Sequence, residues 1–407
     1  MGRFVIEGGY PLAGKVKVSG SKNASLPVIF ATLITRGVSE ITSLPDIEDV
    51  RVALELIREL GAEVWRDRDV TYVDTRCLKY RRSSRELIGK IRASTYLLGS
   101  KLSRFGRAEL SDFGGCSFSD RPIDMHLSAL RSFGARVSQD ELIILRPHET
   151  DVKFRQKSVG ATVNALIYAS GVAGESTLRT CAREPHIDTL IDYLSSAGAE
   201  ITVDGDTLRV KGGELAGGRV TIPGDMIEAG TYLAISMATG GRVSVVGAPV
   251  FELSSFIQPL VYSGVSLLDD NGAFSLSGLP SEHVEIITSP YPGFPTDLQP
   301  IIAPVLALGE GGSITDNVWC ERFGYLAELG KMGLGYEVHN NCAKINKSEL
   351  INANTTSPDL RGGAAILISA LSAKGVSEIG RGEIILRGYE NPVPKLSALG
   401  ARVKYIE

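Results

Sequence analysis

The chain has 407 residues, which at about 150 residues per domain predicts two or three domains rather than one. It is 43% hydrophobic and 22% charged, enough to fill sizeable cores, which excludes a disordered or fibrous chain. Lys plus Arg number 43 against 47 Asp plus Glu, a formal charge of −4, so no global field draws the chain to nucleic acid or an anionic membrane.

Residues 1–10 contain no apolar signal core, and the apolar run 24–34 is broken by Ser25, Pro27 and Thr32 and is too short to span a bilayer. The expectation is a soluble cytoplasmic protein. A helix over residues 50–60 is followed by Leu60-Gly61-Ala62-Glu63-Val64 and then a strand. The same passage recurs at Gly134, Gly198, Gly264, Gly333 and Gly400, with successive glycines 73, 64, 66, 69 and 67 residues apart. Each is expected to end a helix where φ is positive, a conformation only glycine adopts without strain. The strands that follow alternate polar and apolar residues, as in Ala199-Glu200-Ile201-Thr202-Val203, which predicts half-buried strands. Six passages at near-constant spacing imply duplication. They divide as three plus three, giving two domains of about 200 residues. Each unit also carries a more apolar helix, at 24–33, 159–169, 227–239 and 363–373 among others, expected to be buried inside its domain.

Glycine is abundant, 45 residues against roughly 7% in ordinary chains, with neither a collagen period nor a Gly/Ser linker. The cysteines, Cys77, Cys116, Cys181, Cys320 and Cys342, are scattered and support neither a disulfide framework nor a zinc ribbon. The five histidines show no metal-ligand spacing, and nucleotide-binding and hydrolase signatures are absent.

Four constellations could carry chemistry. Ser19-Gly20-Ser21-Lys22-Asn23-Ala24 opens an apolar helix, a place for an anion beside Lys22 or simply a capped helix with a solvated lysine. Gly114-Gly115-Cys116 with Arg121 forms an open loop, either with an activated thiol or with an incidental one. Gly293-Phe294-Pro295-Thr296-Asp297 delivers a carboxylate that could be an ordinary helix cap. Arg92, Arg322, Arg361 and Arg387 stand beside turns and suit a bidentate grip on carboxylate or phosphate, though singly each could be a solvated surface residue.

Together and in this order, these segments resemble the enolpyruvyl transferase family from Phe4 to Val403. The likeness rests on Gly20-Ser21-Lys22-Asn23-Ala24, Ile91-Arg92-Ala93-Ser94, Gly114-Gly115-Cys116, Arg121-Pro122-Ile123-Asp124 and Ser158-Val159-Gly160-Ala161-Thr162. It continues through Ala182-Arg183-Glu184-Pro185, Phe294-Pro295-Thr296-Asp297, Asp359-Leu360-Arg361 and Arg387-Gly388-Tyr389-Glu390. The resemblance implies an α/β (α+β) fold: a two-domain inside-out α/β barrel of six repeated βαβαββ-type units, three per domain. Residues 22–225 would form the first domain, and 1–21 with 226–407 the second.

The implied reaction moves the enolpyruvyl group of phosphoenolpyruvate to the 3-hydroxyl of UDP-N-acetylglucosamine, opening peptidoglycan synthesis. By resemblance the catalytic set is Cys116, Asp297, Lys22 and Asp359. Asp297 would be the base. Cys116 would be a lid-borne proton donor and the target of fosfomycin, and Asp359 would assist proton transfer with Lys22. Substrate binding would fall to Asn23, Arg92, Arg121, Pro122, Asp124, Ser158, Val159, Gly160, Val318, Arg322, Arg361 and Arg387. No metal or organic cofactor, nucleic-acid partner or membrane insertion is implied, and a monomer is expected. Lid closure over both substrates, with the uridine nucleotide bound first, is also implied.

The chain departs from the family pattern at Phe113, Gln156, Met226, Cys320, Glu321 and Leu386, positions that touch the diphosphate region and the cleft wall. Three rivals therefore stay open: transfer to another uridine nucleotide such as UMP, the shikimate-pathway synthase, and a catalytically silent paralogue.

Overall fold

A computed structural model describes residues 2–111, 113–114, 122–144 and 150–407, leaving aside the side chain of Asp270. The described chain separates into two compact units, each with its own hydrophobic core. One holds the residues up to Ser19 together with Gly224–Glu407, and the other holds the described residues from Gly20 to Pro223. Among the described residues there are six sheets and fourteen α-helices, and each unit has three of the sheets.

One sheet shows the repeat most plainly. Val284–Thr288 runs parallel to Gly312–Asp316, with the helix Gln299–Leu308 between them in the chain. The hairpin Tyr336–His339 and Cys342–Ile345 then adds antiparallel through its second strand. Asp151–Lys153, Gly174–Arg179 and the hairpin Glu200–Asp204/Thr207–Gly212 repeat that order around the helix Val159–Ser170. The last repeat closes with the N-terminus: Asn354–Thr356 and Gly375–Gly380 are parallel, and Arg3–Gly8 pairs between Gly375–Gly380 and Arg402–Ile406.

Two repeats exchange a strand. Ala13–Lys17 leads into the helix Lys22–Ala31, yet it lies parallel to Arg242–Val246 in the unit that holds Gly224–Glu407. Arg219–Thr221 leads into the helix Met226–Ala238, yet it lies parallel to Val38–Thr42. The chain therefore passes between units at Ser19–Gly20 and again at Pro223–Gly224.

The inner helices are apolar on all sides because they are surrounded by sheets and one another. Ala161 to Ser170 are buried without a break in Val159–Ser170, as are Leu360 to Leu371 in Leu360–Ser372. Outer helices are amphipathic. Glu48–Glu59 buries Val50, Ala53, Leu56 and Ile57 and turns Arg51, Glu55 and Arg58 outward.

The six spaced glycines all have positive φ, from +87° at Gly333 to +117° at Gly198, as the spacing predicts. The strands that follow them differ from expectation. Each is the edge strand of its sheet, and Val137 and Val203 are 46% and 44% exposed, so these strands are mostly solvated. Alternation in sequence marks a pleat but does not say whether a neighbouring layer covers it.

Candidate functional site

In the unit beginning at Gly20, Ser21 caps the helix Lys22–Ala31 by accepting from the Ala24 amide at 3.4 Å. Gly20 is required by a close approach, because a Cβ there would fall 2.0 Å from the Ser43 carbonyl. The Lys22 side chain is only 14% exposed and its Nζ lies 3.4 Å from Asp49 Oδ2, itself buried in the first turn of Glu48–Glu59. It is thus not a solvated cap lysine. Asn23 is half-buried beside it.

The segment Arg92–Tyr96 packs on that same helix. Asp124, exposed after exposed Pro122, starts the helix Asp124–Ser132 and pairs with Arg155 at 2.7 Å. Ser158 caps Val159–Ser170 through the Ala161 amide, and Val159 and Gly160 form its first turn. His126 lies against this turn: a Cβ on Gly160 would sit 2.7 Å from its Cε1. Burial pulls the His126 imidazole down to about 4; the positive charge of Arg92 adds to this and Asp124 opposes it. Asn164 from the inner helix bonds His126 Nδ1 at 2.7 Å and Thr95 O at 3.0 Å, and accepts from the Gly99 amide at 2.7 Å. Cys116 and Arg121 lie outside the described residues.

In the other unit, Asp297 occupies the short turn Thr296–Leu298 and is the N-cap of neither that turn nor the helix Gln299–Leu308. Its carboxylate instead accepts from Arg322 at 2.7 Å and from Arg361 Nε at 3.2 Å. The arginine side chains are 4% and 2% exposed, whereas that of Asp297 is 28% exposed, so the carboxylate is the open member of the cluster and the guanidiniums that hold it are largely covered by protein. Burial alone would lower the Arg322 guanidinium; the charges of Asp297 and Asp359 outweigh it, and the group ends above its ordinary value. Arg361 behaves likewise, with Tyr389, Asp297 and Asp225 outweighing burial, and its guanidinium lies 5.6 Å from the Tyr389 ring centre.

Asp359 is the N-cap of Leu360–Ser372, accepting from the amides of Arg361 and Gly362 at 3.0 and 3.1 Å. Arg387 is half-buried at the end of the short helix Glu383–Leu386. Val318 follows Asp316, a wholly buried residue whose carboxylate accepts from the Val318 and Trp319 amides and from the hydroxyls of Thr288 and Thr296. Thr296 in turn accepts from Arg322 at 3.2 Å, so Asp316 orders the turn that carries Asp297.

The structure therefore brings Asp297, Arg322 and Arg361 together, and gathers Asp124, Ser158 and Gly160 near His126. Sequence reasoning missed Asp49, His126, Asn164 and Asp316. Each is a single polar residue in a buried setting, and only a partner distant in sequence reveals its use. Of the departures, Gln156, Cys320 and Glu321 are exposed, while Phe113, Met226 and Leu386 pack partly against the cores. Among the described residues, no helix is long and apolar enough to cross a membrane, and no cluster of His, Cys, Asp or Glu is arranged to hold a metal.

Inner helices ringed by sheets in two three-fold units, with site residues at helix starts, define the two-domain inside-out barrel. The chain belongs to the enolpyruvyl transferase family: the family model for EPSP synthase (3-phosphoshikimate 1-carboxyvinyltransferase) matches residues 6–396. It is 40% identical over 413 residues to UDP-N-acetylglucosamine 1-carboxyvinyltransferase 3 of Caldanaerobacter subterraneus subsp. tengcongensis, covering 99% of each chain. A relative of the same activity name from Halothermothrix orenii is 36% identical, with 100% of both chains covered. Among solved structures, the enolpyruvyl transferase NikO from Streptomyces tendae shares the fold with a TM-score of 0.90 at 24% identity, covering 100% of this chain and 99% of that one. EPSP synthase from Acinetobacter baumannii does so at 0.75 and 17% identity, with 100% of both chains covered.

Proposed function

We propose that this protein transfers the enolpyruvyl group of phosphoenolpyruvate to the 3-hydroxyl of UDP-N-acetylglucosamine and releases phosphate, opening peptidoglycan synthesis in the cytoplasm. The full-length curated relatives that carry this activity name support the acceptor. The observation that carries the chemistry is Asp297, a reachable carboxylate aimed by two buried guanidiniums.

In the addition step Asp297 takes the proton of the sugar hydroxyl, whose oxygen bonds to C2 of phosphoenolpyruvate while C3 gains a proton and becomes a methyl group. In the elimination step C3 loses a proton, the C2–O bond to phosphate breaks, and inorganic phosphate leaves. Lys22, Arg92, Arg322, Arg361 and Arg387 are assigned to the anionic groups of the substrates, with Arg121 added on the strength of the resemblance. Asp297 holds Arg322 and Arg361 in place before substrate arrives, which is where electrostatic catalysis gains most. Asn23 and Val318 are assigned to the sugar, and Pro122, Asp124, Ser158, Val159 and Gly160 to the uridine diphosphate. Cys116 is assigned as proton donor and as the thiol alkylated by fosfomycin, and Asp359 as an aid to proton transfer as well as a cap.

The test is an acceptor screen. Full-length protein with phosphoenolpyruvate should release phosphate and yield an enolpyruvyl adduct by mass spectrometry with UDP-N-acetylglucosamine, but not with UMP or shikimate 3-phosphate. An adduct with UMP alone would transfer the reading to another nucleotide, and no phosphate release with any acceptor would mark a silent paralogue.

A further inference from the structure

We propose that Glu228 and Lys395 are a positioning pair that holds Arg387 in place for phosphoenolpyruvate, acting through Ser19 and Glu390. This rests on the reading of Arg387 as a holder of that substrate's anionic groups.

Glu228 and Thr231 stand three residues apart on the helix Met226–Ala238, so they share a face, and both are buried. Glu228 Oε1 accepts from Lys395 Nζ at 2.7 Å, and its Oε2 accepts from the Ser19 amide at 2.6 Å. Lys395 Nζ also donates to Ser19 Oγ at 2.6 Å, so the serine proton is left for Glu390 Oε2, again at 2.6 Å. One turn further along the helix, Thr231 Oγ1 and the Tyr389 hydroxyl bond each other at 2.8 Å. Two consecutive residues, Tyr389 and Glu390, are thereby tied to one helix face, two and three positions after Arg387. All of these residues lie in the unit that holds Gly224–Glu407.

Stability does not account for the pair. The Glu228 side chain is 2% exposed and that of Lys395 is 18% exposed. Burial pushes the Glu228 carboxyl up, while Lys395 and the Ser19 amide pull it back. A buried ion pair gains little over apolar side chains of similar volume. What a fully bonded network supplies is one defined arrangement, where an apolar contact would let the segment slide. The segment needs such a restraint. Arg387 ends a helix of only four residues, Glu383–Leu386, and so short a helix does not hold itself.

The test is steady-state kinetics of the full-length protein with each substrate varied, beside thermal unfolding with and without phosphoenolpyruvate. Lys395→Met removes the charge at nearly the same length. It should raise KM for phosphoenolpyruvate about ten- to a hundredfold, the range for a hydrogen bond to a charged group. KM for UDP-N-acetylglucosamine should stay within about twofold and kcat within about threefold, the pattern of lost uniform binding. Ser19→Ala keeps the ion pair and cuts only its link to Glu390. It should raise the same KM about three- to tenfold, the worth of an ordinary hydrogen bond, with Tm unchanged. In an Arg387→Lys background either change should add less than about twofold, because its effect passes through Arg387. A lower Tm with both KM values unmoved, equal rises in both, or full additivity with Arg387→Lys overturns the assignment. If Lys395→Met does not fold, Ser19→Ala decides by the same criteria. Phosphoenolpyruvate should also raise the Tm of wild-type protein more than that of Ser19→Ala. That difference without any phosphate release would remove the proposed reaction and leave the pair standing. Equal stabilisation of the two proteins, or none, would overturn the pair.

Discussion

Replacing Asp297 with Asn tests whether its two arginines need the carboxylate. Arg322 and Arg361 are 4% and 2% exposed at the side chain and receive the charge of Asp297 at 2.7 and 3.2 Å. Breaking a buried ion pair by removing one partner costs about 3–5 kcal/mol. Asp297 is 28% exposed and partly screened, which brings the cost to the bottom of that range or just below it, about 2–3 kcal/mol. At roughly 2–4 °C per kcal/mol for a unit of this size, Tm should fall by about 5–10 °C. Phosphoenolpyruvate or phosphate should restore part of the loss, because an anion that binds the folded state stabilises it by mass action. Phosphate release with both substrates should drop by about a hundred- to ten-thousandfold, the usual worth of a positioned base. Thermal unfolding with and without the anion, alongside the turnover assay, reads both effects. An unchanged Tm would show that the guanidiniums do not depend on Asp297, and near-normal turnover would sink its role as base.

Lys22→Ala leaves Asp49, 5% exposed at the side chain, without that cation, and kcat/KM should fall about a thousandfold for a lost charge-assisted contact; near-normal activity would remove Lys22 from the anion site. His126 is held at about 4 when folded against about 6.5 when unfolded, so the unfolded chain binds a proton that the folded chain refuses. Its contribution is complete above pH 6.5 and is lost as pH falls toward 4, with about 2 kcal/mol gone at pH 5. Urea unfolding at pH 7 and 5 should show that difference, and His126→Gln should shrink it. Gly400 has φ of +96° with open space around its missing side chain, so Gly400→Ala isolates backbone strain and should cost about 1 kcal/mol in urea unfolding. Gly400→Asn should cost less, since Asn tolerates that conformation.

The repeat was legible because positive φ at a helix end leaves few residues free to serve, and six glycines reported it independently of packing. Strand pairing was not. Ala13–Lys17 and Arg219–Thr221 exchange places, and a strand that pairs far along the chain carries no local mark of its partner. The same limit governs the site. Thr296-Asp297 reads as a cap from its neighbours alone, and only partners 25 and 64 residues away make it a clamped carboxylate.

One rule joins the two. Lys22 begins one inner helix, and Arg92–Tyr96 runs directly into the next, Leu97–Phe105. Ser158 caps Val159–Ser170, and Asp297 stands two residues before Gln299–Leu308. Asp359 and Arg361 open Leu360–Ser372, and Asp225, whose charge Arg361 feels, caps Met226–Ala238. A helix start offers free amides and a favourable dipole to an anion, and duplication copies that offer six times. What then distinguishes one repeat from another is the side chain at each helix start. Those are the positions where single residues, rather than the fold, decide which anion is held.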